Sequence, residues 1–179
     1  MIAKSIIKLI DEALIPAVTI IVAKMAGMFA ASSLLNLEFS IKNADLLLAL
    51  PRVSFASVGD YVVAENISNL AMFVVVALGT LFVLIRAHFF HESHIHPNLH
   101  AKLVALNLDR LIAPSYHLYH QAVIWLIFLW LTTGFLLIST IILHITYPLV
   151  SAVAFIVAAN FSWIFAMDIE NEIEISRQA

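Results

Sequence analysis

The chain of 179 residues is 63% hydrophobic and only 12% charged, with a mean hydropathy of +1.00. A water-soluble domain of this length needs more polar surface, because its helices must be wetted on one face, so the composition indicates an integral membrane protein. The net charge of −3 offers no basic surface for nucleic acid, and the absence of cysteine excludes disulfides, thiolate metal sites and cysteine nucleophiles.

Apolar segments predict the membrane spans. A helix needs roughly 20 apolar residues to cross a hydrocarbon core of about 30 Å. The segments that meet this length are 14–35, 67–87, 118–146 and 147–167. We therefore interpret the chain, 1–179, as a single membrane domain, in which the third and fourth spans form a tight antiparallel hairpin and an acidic tail, 168–179, follows.

The first segment contains a charge, Lys24, near its middle. Such a charge costs roughly 3 kcal/mol on insertion scales unless it finds a partner or water. The segment is still interpreted as a span, because Ala23, Gly27 and Ala31 form a small-residue stripe suited to close helix packing. The fourth span repeats that stripe with Ala154, Ala158 and Ser162.

Lys24 and Asn160 are the candidate intramembrane polar residues. The other spans, as delimited by hydropathy, carry no acidic residue, so Lys24 is expected to pair with Thr80, Asn160, a backbone carbonyl, water or another subunit, or to extend its amine to the membrane surface. Asn160 is expected to form a hydrogen bond between helices.

The distribution of basic residues predicts orientation. With four spans, one side holds six basic side chains and the opposite side holds two. The first group is Lys4, Lys8, Arg86, Lys102, Arg110 and Arg177, and the second is Lys42 and Arg52. The positive-inside rule then predicts a protein of the cell (inner) membrane with both termini and the histidine-rich loop in the cytoplasm.

Two connections have patterns of their own. The outer loop, 36–66, contains an apolar piece, 46–50, that is too short to span, which predicts a re-entrant or interfacial helix followed by an extended stretch. The cytoplasmic loop, 88–117, has Pro97 at a natural helix start and Pro114 at a natural stop, with leucines along one face between them. The predicted fold is therefore an all-α four-transmembrane-helix bundle with a short amphipathic cytoplasmic helix between spans 2 and 3.

Seven of the eight histidines lie between positions 88 and 120. His88 and His91 at the end of the second span, and His117 and His120 at the start of the third, are spaced i, i+3, so each pair shares a helix face. Antiparallel helices place both pairs at one membrane depth, and Glu92 follows directly after His91. These five residues are the predicted metal ligands. Loop residues within reach are His94, His96 and His100.

Two function classes remain open from the sequence. Neutral imidazole suits iron, zinc or copper, and two histidines on facing helices also suit a haem b, so the chain is interpreted first as a redox or oxygen-chemistry membrane subunit. The alternative is a non-catalytic accessory or scaffold subunit, or a homo-oligomeric channel-like protein, in which the same histidines anchor helices or sense pH. Either reading implies contact with the lipid bilayer and association with other membrane subunits or with itself.

Overall fold

The computed structural model describes residues 2–42, 52–90 and 95–178. Within them the chain forms the helices α1 (Ile2–Leu34), α2 (Val58–Phe89), α3 (Pro97–Ala105), α4 (Ser115–Ile141) and α5 (Pro148–Gln178). A two-stranded antiparallel hairpin, β1 (Phe39–Lys42) and β2 (Arg52–Phe55), lies between α1 and α2 and pairs Phe39 with Phe55. The apolar piece 46–50 lies outside the described residues.

Four of these helices are long and apolar enough to cross a membrane, which confirms the predicted helical bundle. The qualifying segments are Ile10–Leu34, Val58–Phe89, Ser115–Ile141 and Pro148–Glu174. Large apolar side chains such as Leu78 and Phe135 face outward from the bundle, as lipid-facing residues do. The chain is a membrane protein.

The second span begins well before the predicted position 67. Ser57 caps α2, and its hydroxyl accepts a hydrogen bond from the backbone N–H of Asp60 at 3.0 Å. A serine N-cap satisfies one of the free N–H groups of the first turn, so the helix starts here although the following residues are only moderately apolar. This early start brings Glu65 and Asn66 into the helical bundle.

The surface helix is shorter than the two prolines suggest. It begins at Pro97 as expected but ends at Ala105, where Asn107 takes a left-handed conformation (φ 54°) and the N–H of Leu108 donates to the carbonyl of Leu103 at 2.8 Å. This backbone arrangement closes a helix C-terminus. Pro114 instead precedes the first turn of α4, so it starts a span rather than ending the surface helix.

The small-residue stripe of α1 lies against α2. A Cβ on Gly27 would stand 2.8 Å from both the Cβ of Ala71 and the Cα of Ser68, so only glycine permits this approach. The Ser68 hydroxyl donates to the carbonyl of Lys24 at 2.7 Å across the same contact. In α5, Ala154 and Ala158 are fully buried in the core shared with α2 and α4.

Thr133, in the buried face of α4, has a hydroxyl with no hydrogen-bond partner among the described residues. Valine has the same shape without the polar atom, so we expect Thr133→Val to raise the free energy of unfolding by about 1 kcal/mol. Thermal unfolding in detergent measures the change. Thr80→Val is the matched control: the buried Thr80 hydroxyl donates to the carbonyl of Val76 at 2.8 Å, so that variant should lose stability. Equal effects of the two substitutions would contradict this expectation.

Candidate functional site at the histidine end of the bundle

The two ends of the bundle carry different polar groups. We call the end where α1 and α4 begin and α2 terminates the histidine end, and the end that carries the β1–β2 hairpin and the α4–α5 turn the hairpin end. The predicted ligands belong to the histidine end. Interhelical polar contacts are concentrated at both ends.

His88, near the C-terminus of α2, reaches α5. Its Nδ1 lies 2.6 Å from Oδ1 of Asp168, whose side chain is largely buried. The Tyr119 side chain of α4 lies near enough to the same carboxylate to interact with its charge. Since a carboxylate only accepts, Nδ1 of His88 is the donor. Asp168 therefore joins α2, α4 and α5.

His120, in the second turn of α4, reaches α1. Its Nδ1 contacts Oε2 of Glu12, and both side chains are mostly buried. The imidazole stacks on Tyr116, with ring centroids 6.1 Å apart and planes 17° apart. This contact ties the start of α1 to α4. We call the set Glu12, His88, His120 and Asp168 the histidine layer.

Arg86, beside the histidine layer, binds the segment that connects α3 to α4. Its Nε donates to the carbonyl of Leu111 at 2.8 Å, and one terminal nitrogen donates to the carbonyl of Arg110 at 3.2 Å. The other terminal nitrogen donates to Oε1 of Gln121 on α4 at 3.2 Å. The guanidinium thus holds the chain that connects α3 to α4 in place.

The remaining predicted ligands have separate positions. His117 makes an edge-on contact with Tyr116, with centroids 5.9 Å apart. His96 caps α3 through Nδ1, which accepts from the N–H of Asn98 at 3.3 Å, and His100 is exposed on α3. His91, Glu92 and His94 lie outside the described residues.

Within the described ranges no three histidine, aspartate or glutamate side chains form a group that could hold a metal ion. The geometry brings His88 and His120 each to a carboxylate. Glu12 and Asp168 were not among the residues predicted for the site. The sequence offered a signal for both. Glu12 lies just before the first apolar segment and Asp168 just after the fourth, so each carboxylate is expected at the membrane depth of the histidines.

The hairpin end holds the partner of Lys24. Its Nζ lies 2.6 Å from Oε1 of Glu65 and 2.7 Å from Oδ1 of Asn69. Asn69 in turn donates to the hydroxyl of Thr146 at 3.0 Å, and Thr146 donates to Ser139 at 2.8 Å. We call these five residues the lysine network. It joins α1, α2, α4 and the α4–α5 turn.

The expected partners of Lys24, Thr80 and Asn160, were wrong. The Thr80 hydroxyl donates to the carbonyl of Val76 at 2.8 Å and also lies 3.4 Å from the carbonyl of Trp125 on α4. The Asn160 amide donates to the carbonyl of Ile156 in its own helix. The physical reason is the early start of α2, which places Glu65 inside a helix that the hydropathy pattern began at 67.

Asn66 completes the backbone hydrogen bonds of the α4–α5 turn. Its Nδ2 donates to the carbonyl of Ile145 at 2.6 Å, and its Oδ1 accepts from the N–H of Tyr147 at 2.8 Å. Non-helical backbone near a bilayer requires such partners because lipid tails supply none. The buried Asn66 side chain therefore holds the α4–α5 turn.

The lysine network and the histidine layer are separated along α2 by about the thickness of a hydrocarbon core. From Asn69 to His88 there are 19 residues of continuous helix, which at 1.5 Å per residue span about 29 Å. A hydrocarbon core is about 30 Å thick. Lys24 thus lies near the hairpin-side boundary of the hydrocarbon, although it stands near the middle of the first apolar segment.

A groove of about 460 Å³ lies between α4 and α5 within the spans. Its lining is Val123, Leu126, Ile127, Trp130, Leu131, Ser162 and Phe165. The only hydroxyl there, that of Ser162, accepts from Nε1 of Trp130 at 2.9 Å and donates to its own helix. The polar groups of this lining are thus bonded to each other or to their own helix, and the histidine layer remains the candidate site.

A scan against protein-family models matched none, and searches of the curated proteins and of the solved structures found no significant similarity.

Proposed function

We propose that the protein is a non-catalytic membrane subunit in which protonation of the histidine layer sets how firmly α1 and α5 are held to the rest of the bundle. The supporting observation is that His88 and His120 each contact a carboxylate from a different helix. The partners in these two pairs are separated by 80 and 108 positions in the sequence. Each pair therefore joins two helices and acts on tertiary packing.

Protonation changes the strength of each pair. An imidazolium carries the positive charge that attracts a carboxylate, whereas a neutral imidazole retains only an ordinary hydrogen bond, and charge-assisted bonds are roughly twice as strong. The attraction is therefore present at the lower pH and lost as the pH rises and the histidine releases its proton. Other charged or titratable groups at the layer are Tyr119 on α4, Glu172 on α5, Tyr116 beside His120, and Arg86 on α2.

A pH titration of stability tests this proposal. We expect the free energy of unfolding in lipid nanodiscs to be higher in mildly acidic than in mildly alkaline buffer, because a charge-assisted pair is stronger than a neutral one. Solvent screening limits the change, because more than half of the His88 side chain is exposed. The variant His88→Asn/His120→Asn should show a flatter profile, since neither pair then contains a group that gains charge.

His144→Asn is the matched control. This histidine is exposed near the hairpin end, and its left-handed backbone (φ 52°) is one that asparagine adopts readily. Its pH profile should equal that of the wild type. A slope that survives in His88→Asn/His120→Asn, or disappears in His144→Asn, contradicts the proposal.

Metal or haem ligation is the second candidate, and the orientation of the imidazoles supports it. A carboxylate on Nδ1 is the usual outer partner of a metal-bound histidine, and it leaves Nε2 of His88 and His120 as the nitrogen that would face a metal. His117, with His91 and Glu92 from the undescribed range, would complete a set for iron, zinc or copper, or two axial histidines would hold haem b.

Elemental analysis and an absorption spectrum of the purified full chain distinguish the two candidates. Near-stoichiometric metal, or a Soret band, that is lost in His91→Ala/His120→Ala would establish ligation and displace the protonation proposal. Protein without metal or chromophore, whose stability still varies with pH as described, would support the first candidate.

A further inference from the structure

Asn160 is an exception among the polar side chains in the apolar part of α5. Ser151 donates to the carbonyl of Leu136, and Ser162 accepts from Trp130, so both are satisfied inside the bundle. Asn160 is exposed, and its Nδ2 donates at 2.7 Å to the carbonyl of Ile156 in its own helix. Among the described residues no other helix supplies it with a hydrogen bond.

The membrane depth of Asn160 makes this exposure costly. It precedes Asp168 by eight residues, which corresponds to about 12 Å of helix, so it lies inside the hydrocarbon and not at its edge. Lipid tails offer neither donor nor acceptor to the amide oxygen and the second N–H. A polar partner at this depth would relieve that cost.

The residues around Asn160 form a regular stripe. An inner seam of α5 packs within the bundle with alternating spacings of three and four residues, at Ser151, Ala154, Ala158, Phe161 and Phe165. An outer seam repeats the same spacings on the opposite face, at Leu149, Val153, Ile156, Asn160, Trp163 and Met167. Three members of the outer seam, Leu149, Ile156 and Trp163, are 75%, 57% and 69% exposed. This spacing is the one by which two helices pack along a common seam.

We infer that the outer seam binds the outer seam of a second copy of this chain. Copies inserted in one membrane share an orientation, so their α5 helices run parallel and place both Asn160 side chains at the same depth. A two-fold axis then brings the two amides together, and each can donate to the other, because asparagine carries both a donor and an acceptor. One asparagine in an apolar seam also sets the register of the pair.

The charges beyond the seam limit the contact. Glu170 and Glu174 continue the same spacing past Met167, and both are exposed. In a parallel pair these carboxylates would face their counterparts, so the contact ends at Met167 and the tails diverge. Raising the ionic strength should therefore strengthen association, since salt screens exposed like charges. The inference does not depend on protonation of the histidine layer.

Cysteine cross-linking of the full chain in lipid vesicles tests the contact. The chain has no cysteine, so a single substitution reports one position. We expect Ile156→Cys, on the outer seam, to give a disulfide-linked dimer under a mild oxidant, whereas Val22→Cys, on the exposed face of α1, does not. Equal cross-linking at both positions, or a product whose mass is not that of two chains, would overturn the inference.

The role of Asn160 itself is tested by the dimer dissociation constant, measured by energy transfer between labelled chains in detergent. Asn160→Leu should weaken association about 3- to 18-fold, the range for one hydrogen bond between membrane helices, and Asn160→Gln should retain most of it. Thermal unfolding of the monomer should be unaffected, because the hydrogen bond that Asn160 makes within the described residues lies in its own helix. An unchanged dissociation constant in Asn160→Leu would overturn the inference.

Discussion

Gly79→Ala is expected to destabilise the protein by about 3 kcal/mol, the upper range for an overpacked core. A Cβ on Gly79 would lie 2.5 Å from Cη2 and 2.8 Å from Cε3 of Trp125, and closer still to Cζ3. The indole of α4 rests directly on the backbone of α2 at this point, so the added methyl group must displace the ring or separate the two helices. Thermal unfolding in detergent measures the loss.

Gly134→Ala is the matched control for this prediction. Gly134 lies in α4, and a Cβ there would meet no atom within 4 Å. Its replacement should leave stability unchanged or raise it slightly, because alanine is the better helix former. Gly79→Ala should cost less stability in a Trp125→Ala background than in the wild type, because the indole that the added methyl group meets is then absent. If Gly79→Ala unfolds like Gly134→Ala, the close contact of α2 with α4 is wrong.

Lys24→Met is expected to lower the free energy of unfolding by about 2 kcal/mol, a typical value for hydrogen bonds to a charged group. The substitution leaves the Glu65 carboxylate, 15% exposed, and the buried Asn69 amide oxygen without their shared donor. An isolated carboxylate at the edge of the hydrocarbon retains its desolvation cost and loses the attraction that offsets it. Unfolding in sodium dodecyl sulfate or by heat reports the change.

A double-mutant cycle separates the ion pair from other effects of the substitution. In Lys24→Met/Glu65→Leu no charge remains, so this variant should be more stable than Lys24→Met alone. Lys102→Met, on the exposed face of α3, should have little effect, because the Lys102 side chain makes no hydrogen bond or ion pair with the part of the chain that the structure describes. Purely additive effects of the Lys24 and Glu65 substitutions would show that the two side chains do not interact.

Hydropathy was sufficient for the number of spans, because the free energy of placing a helix in lipid depends on its own side chains. It was insufficient at the start of α2. Asp60, Glu65 and Asn66 lower the local hydropathy, yet each is accommodated: Asp60 in the capped first turn, Glu65 by Lys24, and Asn66 by the α4–α5 turn. Those partners are distant in sequence, so no local window contains the compensation.

The small-residue stripes were another feature that local pattern predicted well. Spacing alone placed Ala23, Gly27 and Ala31 on one face, and the close contact of Gly27 with Ser68 and Ala71 follows from that face meeting α2. Spacing could not identify which helix would be the partner. For Gly79 no stripe exists, and its importance depends on a single indole from α4.

The chain order determined that His88 and His120 lie at the same end of the bundle. His88 lies at the end of the second span and His120 at the start of the third, and consecutive spans run antiparallel. Only the tertiary structure decided what each imidazole contacts. A side-chain pair depends on which helix faces lie within a few ångströms, and Glu12 and Asp168 were brought there by the packing of α1 and α5. Composition and periodicity therefore determined that the chain is a membrane protein, how many spans it has and at which end its histidines lie. Helix packing determined the depth of Lys24 and the partner of each polar side chain, since contact energies act across the bundle and not along the chain.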